Sequence, residues 1–387
     1  MYGRRRDSDM TDHYDDIVIG VGGMGSATAY QLAKRGRTVL GLERYDVPHA
    51  MGSSHGVSRI IRLAYYEHPS YVPLVRRAYE LWEEIGTRHG EQLLFETGSI
   101  DAAPAEDPLF RGSLRSCEEY DIDHEVLSGS EVNERYPGYE LPEGYRAVYQ
   151  PNGGYVLSER AIVAHVTAAQ REGARIQARE RVIDWEPEGD GVRVRTDRGE
   201  YTADDLVIAS GAWATEHVEA LDGIAVPQRQ VLAWLQPQEP RRFAPENFPV
   251  WNLQVEEGRF YGLPIVNVPG FKFGRYTHRQ QDVDPDAMNR EPEPEDERLL
   301  REFAERYFPT GAGPTMRLAT CMFTNTPDGQ FVVDRHPDHP QVVFGAGFSG
   351  HGYKFASVIG EILADLASEG HTDHPIDFLS LDRFDAA

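Results

Sequence analysis

The apolar positions near the start of the chain follow the pattern of a strand, a helix and a second strand. Residues 15–20 (DDIVIG) contain a short β-branched apolar run, which is typical of a parallel strand buried on both faces. Residues 27–36 (ATAYQLAKRG) combine good helix formers and end at a glycine, a common helix stop. Residues 38–43 (TVLGLE) form a second apolar run. The sequence therefore predicts one complete βαβ unit.

Later segments repeat this alternation of helix and strand. Helical patterns cover residues 69–89 and 157–173, and the turn EGDG (188–191) before the alternating segment VRVRT predicts a hairpin. The apolar LVIA (206–209) predicts a buried strand. Residues 341–366 predict a strand, a glycine-rich loop and a helix.

The α/β signals are separated along the chain. They lie near residues 15–62, 157–213 and 342–368, on either side of segments rich in short strands, so we expect a discontinuous α/β domain. Residues 226–314 carry many aromatic residues, prolines and short strands. The acidic run EPEPEDE (291–297) predicts a solvated loop or the start of a helix.

The net charge of the chain limits the kinds of molecule that it is expected to bind. The 387 residues include 39 basic and 63 acidic side chains, which gives a net charge of −24. This length allows two domains, and no apolar run reaches the ~18 residues needed to span a membrane. A strongly negative surface repels nucleic-acid phosphates and anionic lipids, so neither partner is expected.

Lysine is rare in this chain. Only three are present, Lys34, Lys272 and Lys354, and all other basic residues are arginine. An acidic, lysine-poor chain is typical of proteins adapted to concentrated salt, where screening removes self-repulsion. An ordinary acidic protein from a GC-rich genome is the alternative. Because the chain avoids lysine, each lysine it keeps is a candidate for function.

The cysteines and the N-terminus favour a cytoplasmic protein. Cys117 and Cys321 cannot build a disulfide framework and lack metal-ligand spacing, so we expect no metal site. Residues 1–16 contain arginines, but no apolar stretch follows them before the first strand. This is not the pattern of an export signal.

A glycine motif connects the first predicted strand and helix. In Gly20-x-Gly22-x-x-Gly25, the first glycine allows a tight turn, the second lets a pyrophosphate approach and the third lets helix and strand pack closely. The helix N-terminus would bind phosphates, and Glu43, which ends the second strand, would accept hydrogen bonds from a ribose. A purely structural glycine turn is the alternative, and the motif does not separate NAD from FAD.

Three further motifs distinguish these cofactors. They are GS-x-HG-x-x-RIIR within residues 48–62, PDG-x-F-x-x-D within residues 321–334 and FSGHG-x-KF within residues 345–355. In combination, and in this order, they resemble the monomeric sarcosine oxidase family, flavoproteins that include N-methyltryptophan oxidase. The resemblance runs from about residue 15 to about residue 383. It implies an FAD-dependent, monomeric oxidase.

The resemblance assigns roles in catalysis to residues of these motifs. Arg62 and Lys354 match the pair that binds the substrate carboxylate, a task that suits a bidentate guanidinium and an ammonium. Lys272, in GFKFG, matches the lysine that activates oxygen, where a fixed positive charge would stabilise reduced oxygen. His55 and Arg59 match residues beside the flavin ring, and a cation there would favour the anionic reduced flavin. For His55, a structural loop histidine is the alternative.

The resemblance also implies the remaining contacts to substrate and cofactor. Cys321 matches the cysteine that bonds covalently to the flavin 8α-methyl group, although a lone cysteine is more commonly a small buried apolar residue. A helix that starts near Tyr353 would direct its positive end at the flavin. The other implied positions are Tyr261 in the substrate cavity and Ser54, Val182, Gly350, His351 and Gly352 at the cofactor.

Two positions depart from the sarcosine oxidase pattern. In those enzymes a histidine that follows the lysine helps to shape the active site, whereas here Tyr276 occupies the apparent match and His278 comes two residues later. An aromatic residue with a hydroxyl follows their cysteine-methionine pair, whereas this chain has Phe323. These changes alter the polarity beside the substrate amine and leave room for a larger or cyclic secondary amine.

The expected protein is an α/β flavoenzyme. The predicted FAD-binding domain is Rossmann-like, of the glutathione-reductase type, and comprises residues 14–90, 155–225 and 315–385. A mixed-sheet α+β substrate domain of about 6–8 strands comprises residues 91–154 and 226–314. The expected reaction oxidises a secondary α-amino acid with O2 and yields hydrogen peroxide. Substrates of the N-methyltryptophan or pipecolate type, a dehydrogenase that uses another acceptor and a non-catalytic flavin protein remain open.

Overall fold

The computed structural model describes residues 12–384. Most of the N-terminal segment that was compared with export signals lies outside the described residues, as does residue 385 of the predicted FAD-binding domain. Within the described range no helix is long and apolar enough to cross a bilayer.

Strands and helices alternate in the order expected for an α/β protein, and the strands form three sheets. The strands are β1 (Asp12–Ile19), β2 (Val39–Leu42), β3 (Ser58–Ile61), β4 (Leu94–Glu96), β5 (Ser99–Pro104), β6 (Glu125–Ser128), β7 (Tyr145–Gln150), β8 (Gly154–Leu157), β9 (Arg175–Gln177), β10 (Val182–Glu188), β11 (Gly191–Thr196), β12 (Glu200–Ile208), β13 (Val226–Leu235), β14 (Val250–Val255), β15 (Gly258–Ile265), β16 (Phe271–Arg275), β17 (Gln281–Asp282), β18 (Thr315–Asn325), β19 (Val332–Arg335) and β20 (Val342–Ala346). The α-helices are α1 (Gly23–Lys34), α2 (Tyr71–His89), α3 (Pro108–Glu119), α4 (Gly129–Arg135), α5 (Ser158–Arg171), α6 (Pro294–Tyr307) and α7 (Ala356–Ser368).

The eight-stranded sheet contains the predicted βαβ unit. Its main path runs β10-β11-β12-β1-β2-β9, and β20 adds to β12 in parallel. Ile17 of β1 is in register with Leu40 of β2 and with Leu206 of β12, and all three side chains are buried. Helices α1, α5 and α7 pack together against the sheet. The continuous apolar runs are therefore strands covered on both faces.

The nine-stranded sheet is the framework of the second half of the molecule. Its order is β17-β13-β16-β15-β14-β5-β7-β6, with β18 paired along β13. The sheet is larger than the expected 6–8 strands. The prediction placed residues from 315 onward in the FAD-binding domain. In the structure, β18 (residues 315–325) instead pairs with β13 of the nine-stranded sheet. The residues of β18 do not themselves indicate which of the two large sheets the strand joins.

A three-stranded sheet lies between the two larger ones. It consists of β3, β8 and β4 in that order, and Arg59 of β3 stands opposite Val156 of β8. The motif residue Arg59 lies within β3, the edge strand of this sheet. Arg62 follows directly after Ile61, the last residue of β3.

The acidic run 291–297 is only partly solvated. Pro294 begins α6, so the run contains the start of a helix, which was one of the two expectations. Asp296, in the first turn of α6, is fully buried. Asp296 accepts hydrogen bonds from Arg229 and His278, which lower its pKa although burial alone would raise it. This carboxylate fixes α6 to β13 instead of facing solvent.

Candidate cofactor and substrate site

The glycine motif builds a narrow turn at the carboxyl end of β1. Gly20 has a φ of +87°, and a Cβ there would lie 2.7 Å from the carbonyl oxygen of Ala209. A Cβ at Gly25 would lie 1.8 Å from the carbonyl oxygen of Gly20, so only glycine lets α1 pack this closely. A Cβ at Gly22 would meet only Ser54 Oγ, at 3.8 Å. Space is thus left in front of Gly22, where a phosphate would approach.

Glu43 lies at the end of β2 beside this turn. Its carboxylate accepts hydrogen bonds from the backbone N–H groups of Val21 and Tyr45, both 2.9 Å long, and lies 3.4 Å from the ring of His49. Burial alone would raise its pKa, but His49 and the two backbone groups lower it. The side chain is therefore ionised and fixed at the position where a ribose would be bound.

A long cleft extends from this turn between the two large sheets. It encloses about 1500 Å³, including the space at its open mouth. The predicted cofactor residues that line it are Gly20, Gly22, Glu43, Ser54, Arg59, Val182, Cys321, Gly350 and Gly352. Gly25 packs behind the turn instead of lining the cleft. The free space before Gly22 and the ionised Glu43 fit the phosphate and ribose of a dinucleotide such as FAD.

The two cysteines occupy different environments. Cys321 of β18 lines the cleft, and its Sγ lies 3.9 Å from a guanidinium nitrogen of Arg59. Cys117 of α3 lies in an apolar core, where burial raises the pKa of its thiol to about 12. Only Cys321 is therefore placed to meet a group bound in the cleft.

A smaller cavity adjoins the cleft and encloses about 430 Å³, including the space at its open mouth. The two share Arg59, Tyr261, Gly350 and Tyr353 as wall residues. The cavity is also lined by Ile60, Arg62, Asn252, Leu263, Lys272, Tyr276, His351 and Lys354. The structure thus brings five of the six predicted catalytic residues into one cavity, all except His55.

Arg62 is buried at 1% exposure and is already paired. Its Nη2 donates to both carboxylate oxygens of Glu67, at 3.0 and 2.7 Å, and Asp101 lies 3.8 Å from its Nη1. Burial alone would raise the pKa of Glu67, but Arg62 and its neighbours lower it to about 2. A substrate carboxylate would therefore compete with Glu67 for this guanidinium.

Lys354 lines the same cavity, and the pKa of its ammonium group is shifted. Its Nζ donates to the carbonyl oxygen of His351 at 2.6 Å. Burial, and then the charge of Arg62, lowers the pKa of Lys354 to about 7. Burial also lowers the pKa of His351 to about 4, and its ring is bonded to the hydroxyl of Tyr65 and to the carbonyl oxygen of Gly329. His351 is thus a neutral wall residue.

Lys272 occupies the part of the cavity next to Arg59. Its Nζ donates to the carbonyl oxygens of Gly56 (2.9 Å) and Ser58. Burial, followed by the charge of Arg59, lowers the pKa of Lys272 well below its usual value, while Glu159 opposes the shift. Arg59 itself donates to the carbonyl oxygens of Ser53 (2.7 Å) and Ser58 (3.0 Å).

His55 is buried close to Lys272 but lines neither cavity. Both ring nitrogens lack a hydrogen-bond partner among residues 12–384. Burial, and then Arg59, lowers the pKa of His55 to about 3, so the ring is neutral. It therefore carries no positive charge toward the flavin site in this structure.

Comparison with known proteins identifies the family. The profile of the family described as FAD dependent oxidoreductase matches residues 15–366. The chain belongs to this family. It is 40% identical to the monomeric sarcosine oxidase of Bacillus sp. (strain B-0618), with 97% of each chain covered. It is 34% identical to the N-methyl-L-tryptophan oxidase of Yersinia pestis (strain Pestoides F), over 96% of this chain and 99% of the other.

A solved structure with the same architecture is that of NikD, described as an unusual amino acid oxidase essential for nikkomycin biosynthesis. Its TM-score is 0.83 at 27% sequence identity, over 96% of this chain and 98% of that chain. The family resemblance and the fold class predicted from the motifs are therefore confirmed. FAD is the cofactor of the family to which this oxidoreductase belongs.

The two departures from the sarcosine oxidase pattern have different consequences in this oxidoreductase. Tyr276 lines the smaller cavity, whereas His278 is fully buried and hydrogen-bonded to Asp296 at 2.9 Å. Phe323 lines the cleft, and a Cβ at Gly350 would lie 2.5 Å from its ring. The loop 347–352 therefore needs glycine to pass this phenyl group.

Several residues of the site gave no signal in the sequence. Glu67 and Asp101 are ordinary acidic residues until the fold places them beside Arg62. Glu159, at the start of α5, accepts from the backbone N–H groups of Gly56 (2.7 Å) and Val57. Arg259 lies just outside the site, where its guanidinium stacks on the ring of Tyr276, and it also gave no signal in the sequence. No group of three or more histidine, cysteine, aspartate or glutamate side chains in the described chain could hold a metal ion.

Proposed function

We propose that this chain is an FAD-dependent oxidase of N-methyl or other secondary α-amino acids, with O2 as electron acceptor. The observation that carries the proposal is the small cavity beside the cofactor cleft, which is lined by the buried Arg62 and Lys354 and by a second buried lysine, Lys272. The named relatives act on N-methyl amino acids, as their descriptions state.

Arg62 and Lys354 hold the substrate carboxylate in this proposal. The guanidinium binds a carboxylate through paired N–H donors, as it does with Glu67, and the ammonium adds a point charge. Binding at this end directs the amine and its substituent toward Tyr261 and Arg59, the wall shared with the cleft. The cavity thus orients the carbon to be oxidised.

The amine is expected to react in its uncharged form. Arg62, Lys354 and Arg59 make the cavity electropositive, which disfavours an ammonium ion on the substrate. His351 has both ring nitrogens occupied, so it does not act as the base. The cleft residues would hold FAD, which would supply the acceptor for the hydride equivalent lost from the carbon beside the nitrogen. The imine product leaves the site and is hydrolysed by water to an amine and an aldehyde, formaldehyde for an N-methyl group.

Lys272 is the residue proposed to assist the reaction with O2. It is fixed by two carbonyl groups at the part of the cavity next to Arg59. In its protonated form it would stabilise the negative charge that develops on oxygen during reduction to hydrogen peroxide. Its lowered pKa makes this role sensitive to pH.

Covalent attachment of FAD through Cys321 is part of the proposal. Support comes from the position of Cys321 in the wall of the cleft and from the apolar burial of Cys117. Acid precipitation of the holoprotein would leave flavin in the pellet for wild type and for Cys117→Ser, and in the supernatant for Cys321→Ser. Flavin in the supernatant from wild type would contradict the covalent link.

Two properties of the surface extend the proposal. We infer adaptation to concentrated salt from the −24 charge and the near absence of lysine, and a cytoplasmic location from the cysteine usage and the N-terminal sequence pattern. Lys34, which pairs with Glu84, is the one lysine exposed to solvent. Few large apolar side chains of the described chain are exposed, namely Val126, Val163, Ile183 and Met316.

The experiment that tests the function is a peroxide-coupled assay on the purified holoprotein. The panel is sarcosine, N-methyl-L-tryptophan and L-pipecolate, with glycine and L-tryptophan as primary-amine controls. The proposal expects peroxide from at least one secondary amino acid and much less from its primary counterpart. Turnover seen only with an artificial acceptor, without peroxide, would favour the dehydrogenase alternative instead.

A further inference from the structure

Arg259 extends the substrate-facing row of β15 toward solvent. Side chains two positions apart on a strand share a face, and Tyr261 and Leu263 both line the substrate cavity. Arg259 is the preceding member of this row. Across the ladder, the N–H of Tyr276 donates to the carbonyl oxygen of Arg259 at 2.8 Å, so their side chains lie side by side.

The guanidinium of Arg259 is held between two tyrosine rings. Its central carbon lies 3.7 Å from the ring centroid of Tyr276 and 5.1 Å from that of Tyr66. This stacking fixes the plane of the group and leaves its N–H edge free. Among residues 12–384, Arg259 makes no side-chain hydrogen bond and no ion pair, so these donors are unused.

The carboxylate whose charge acts on Arg259 is already bound by another group. It is Glu67, which accepts hydrogen bonds from Arg62. Arg259 does not itself line the cavity, but it stacks on Tyr276, which does, and among residues 12–384 it has no acidic partner. A buried or half-buried cation is stabilised when a ligand supplies the missing negative charge.

The position of Arg259 determines which part of a ligand it could meet. Arg62, Lys272 and Lys354 are 1%, 2% and 5% exposed, whereas Arg259 is partly exposed. It is therefore the outermost of these cations. An α-carboxylate bound deep in the cavity by Arg62 and Lys354 leaves Arg259 for a group at the other end of the substrate.

We propose that Arg259 is a specificity-determining residue that binds a second carboxylate of the substrate, so that N-methylated dicarboxylic α-amino acids are preferred over neutral ones. This rests on the proposed function, because it assumes an amino acid in the cavity. The stacked guanidinium pairs with a side-chain carboxylate, while Tyr276 supplies the wall along which the side chain lies.

Kinetics on a matched pair of substrates test this specificity. N-methyl-L-glutamate and N-methyl-L-glutamine differ by a charge at nearly equal size. Wild type is expected to prefer the acid in kcat/KM by about 10- to 100-fold, the factor typical of a charge-assisted hydrogen bond, and mainly through KM. In Arg259→Met the preference falls to about one. Arg275→Met is the control, because Arg275 lies on the same hairpin over Phe260, on the face away from the cavity.

A binding measurement separates this inference from the proposed function. Calorimetric titration of the holoprotein with glutarate and with its monoamide involves no oxidation. Glutarate is expected to bind about 10- to 100-fold more tightly than the monoamide in wild type and Arg275→Met, and equally in Arg259→Met. Equal binding in wild type, or a preference that survives in Arg259→Met, overturns the role of Arg259. Absence of turnover with every secondary amino acid, with the glutarate preference intact, overturns the proposed function alone.

Discussion

At the scale of single residues, the site depends on two lysines that the fold withdraws from water. Lys272 and Lys354 are 2% and 5% exposed, and burial lowers the pKa of each. An ammonium in such a position loses hydration, so it is retained only where carbonyl or carboxylate groups compensate. Lys34 is exposed on the surface, so its substitution serves as a control for substitutions of the two buried lysines.

The replacement Lys272→Met is expected to slow reoxidation by O2 far more than reduction by substrate. The substitution removes the positive charge beside the cleft. It leaves Arg62 and Lys354, the residues proposed to bind the substrate carboxylate, unchanged. Stopped-flow measurement of the two half-reactions checks this, with Lys34→Met expected to behave as wild type. An equal fall in both half-reactions would remove Lys272 from the oxygen step.

The binding of a carboxylate ligand without an amine is expected to weaken as the pH rises through about 7. Lys354 has its pKa lowered to about 7, so it is charged below this value and neutral above it. His351 and Glu67, with pKa values of about 4 and 2, do not titrate in this range. Titration of glutarate between about pH 6 and pH 9 measures the effect. Lys354→Met should abolish the dependence, and its persistence there would assign it to another group.

Sequence motifs could predict the residues of the cavity better than their partners. Lys272 and Lys354 were identifiable because their motifs are specific and because lysine is rare in the chain. The pairing of Arg62 with Glu67 was not, since it depends on the path of the segment after β3. The placement of His55 outside both cavities also had no signal, because burial behind a loop is not encoded in residue spacing.

At the scale of elements, the turn between β1 and α1 sets the geometry of the cofactor cleft. The close approach of Gly25 to the carbonyl oxygen of Gly20 places the N-terminus of α1 at the end of β1. Apolar runs and helix formers predicted both elements. The sheet to which β18 belongs could not be predicted in the same way, because its partner β13 lies about 90 residues earlier in the chain.

The substitution Gly25→Ala is expected to destabilise this turn. The new Cβ would lie 1.8 Å from a backbone oxygen, so α1 must shift, at a cost of about 1–3 kcal/mol or more. A lower Tm and loss of FAD during gel filtration are the measurable results. Gly199→Ala is the matched control, because a Cβ there has nothing within 4 Å. Equal Tm values for the two variants would contradict the packing argument.

At the scale of the whole molecule, charge is distributed in opposite senses inside and outside. The chain carries −24 overall, while the substrate cavity is lined by Arg59, Arg62, Lys272 and Lys354. The negative surface repels itself at low ionic strength, and in the proposed function the basic side chains of the cavity bind the substrate carboxylate. Composition alone predicts the negative net charge. The cluster of basic side chains in the cavity could not be predicted in this way, because the fold brings together four positions that are distant in the sequence.

Thermal stability is expected to rise with salt concentration. Screening shortens the range of surface repulsion from about 10 Å at 0.1 M to about 3 Å at 1 M. A Tm that increases by several degrees over this range of KCl would support salt adaptation, with an equal series in sucrose as the uncharged control. A Tm that stays constant or falls in KCl would favour an ordinary acidic protein.

The most direct test of the account is an anaerobic titration of the holoprotein with secondary α-amino acids, followed by admission of air. Loss of the visible flavin absorption on addition of substrate, and its full return with one equivalent of hydrogen peroxide in air, is the predicted result. It would show oxidation of the amine and transfer to O2 in one experiment. Flavin that stays oxidised with every secondary amino acid, or that stays reduced in air, would contradict the proposed oxidase.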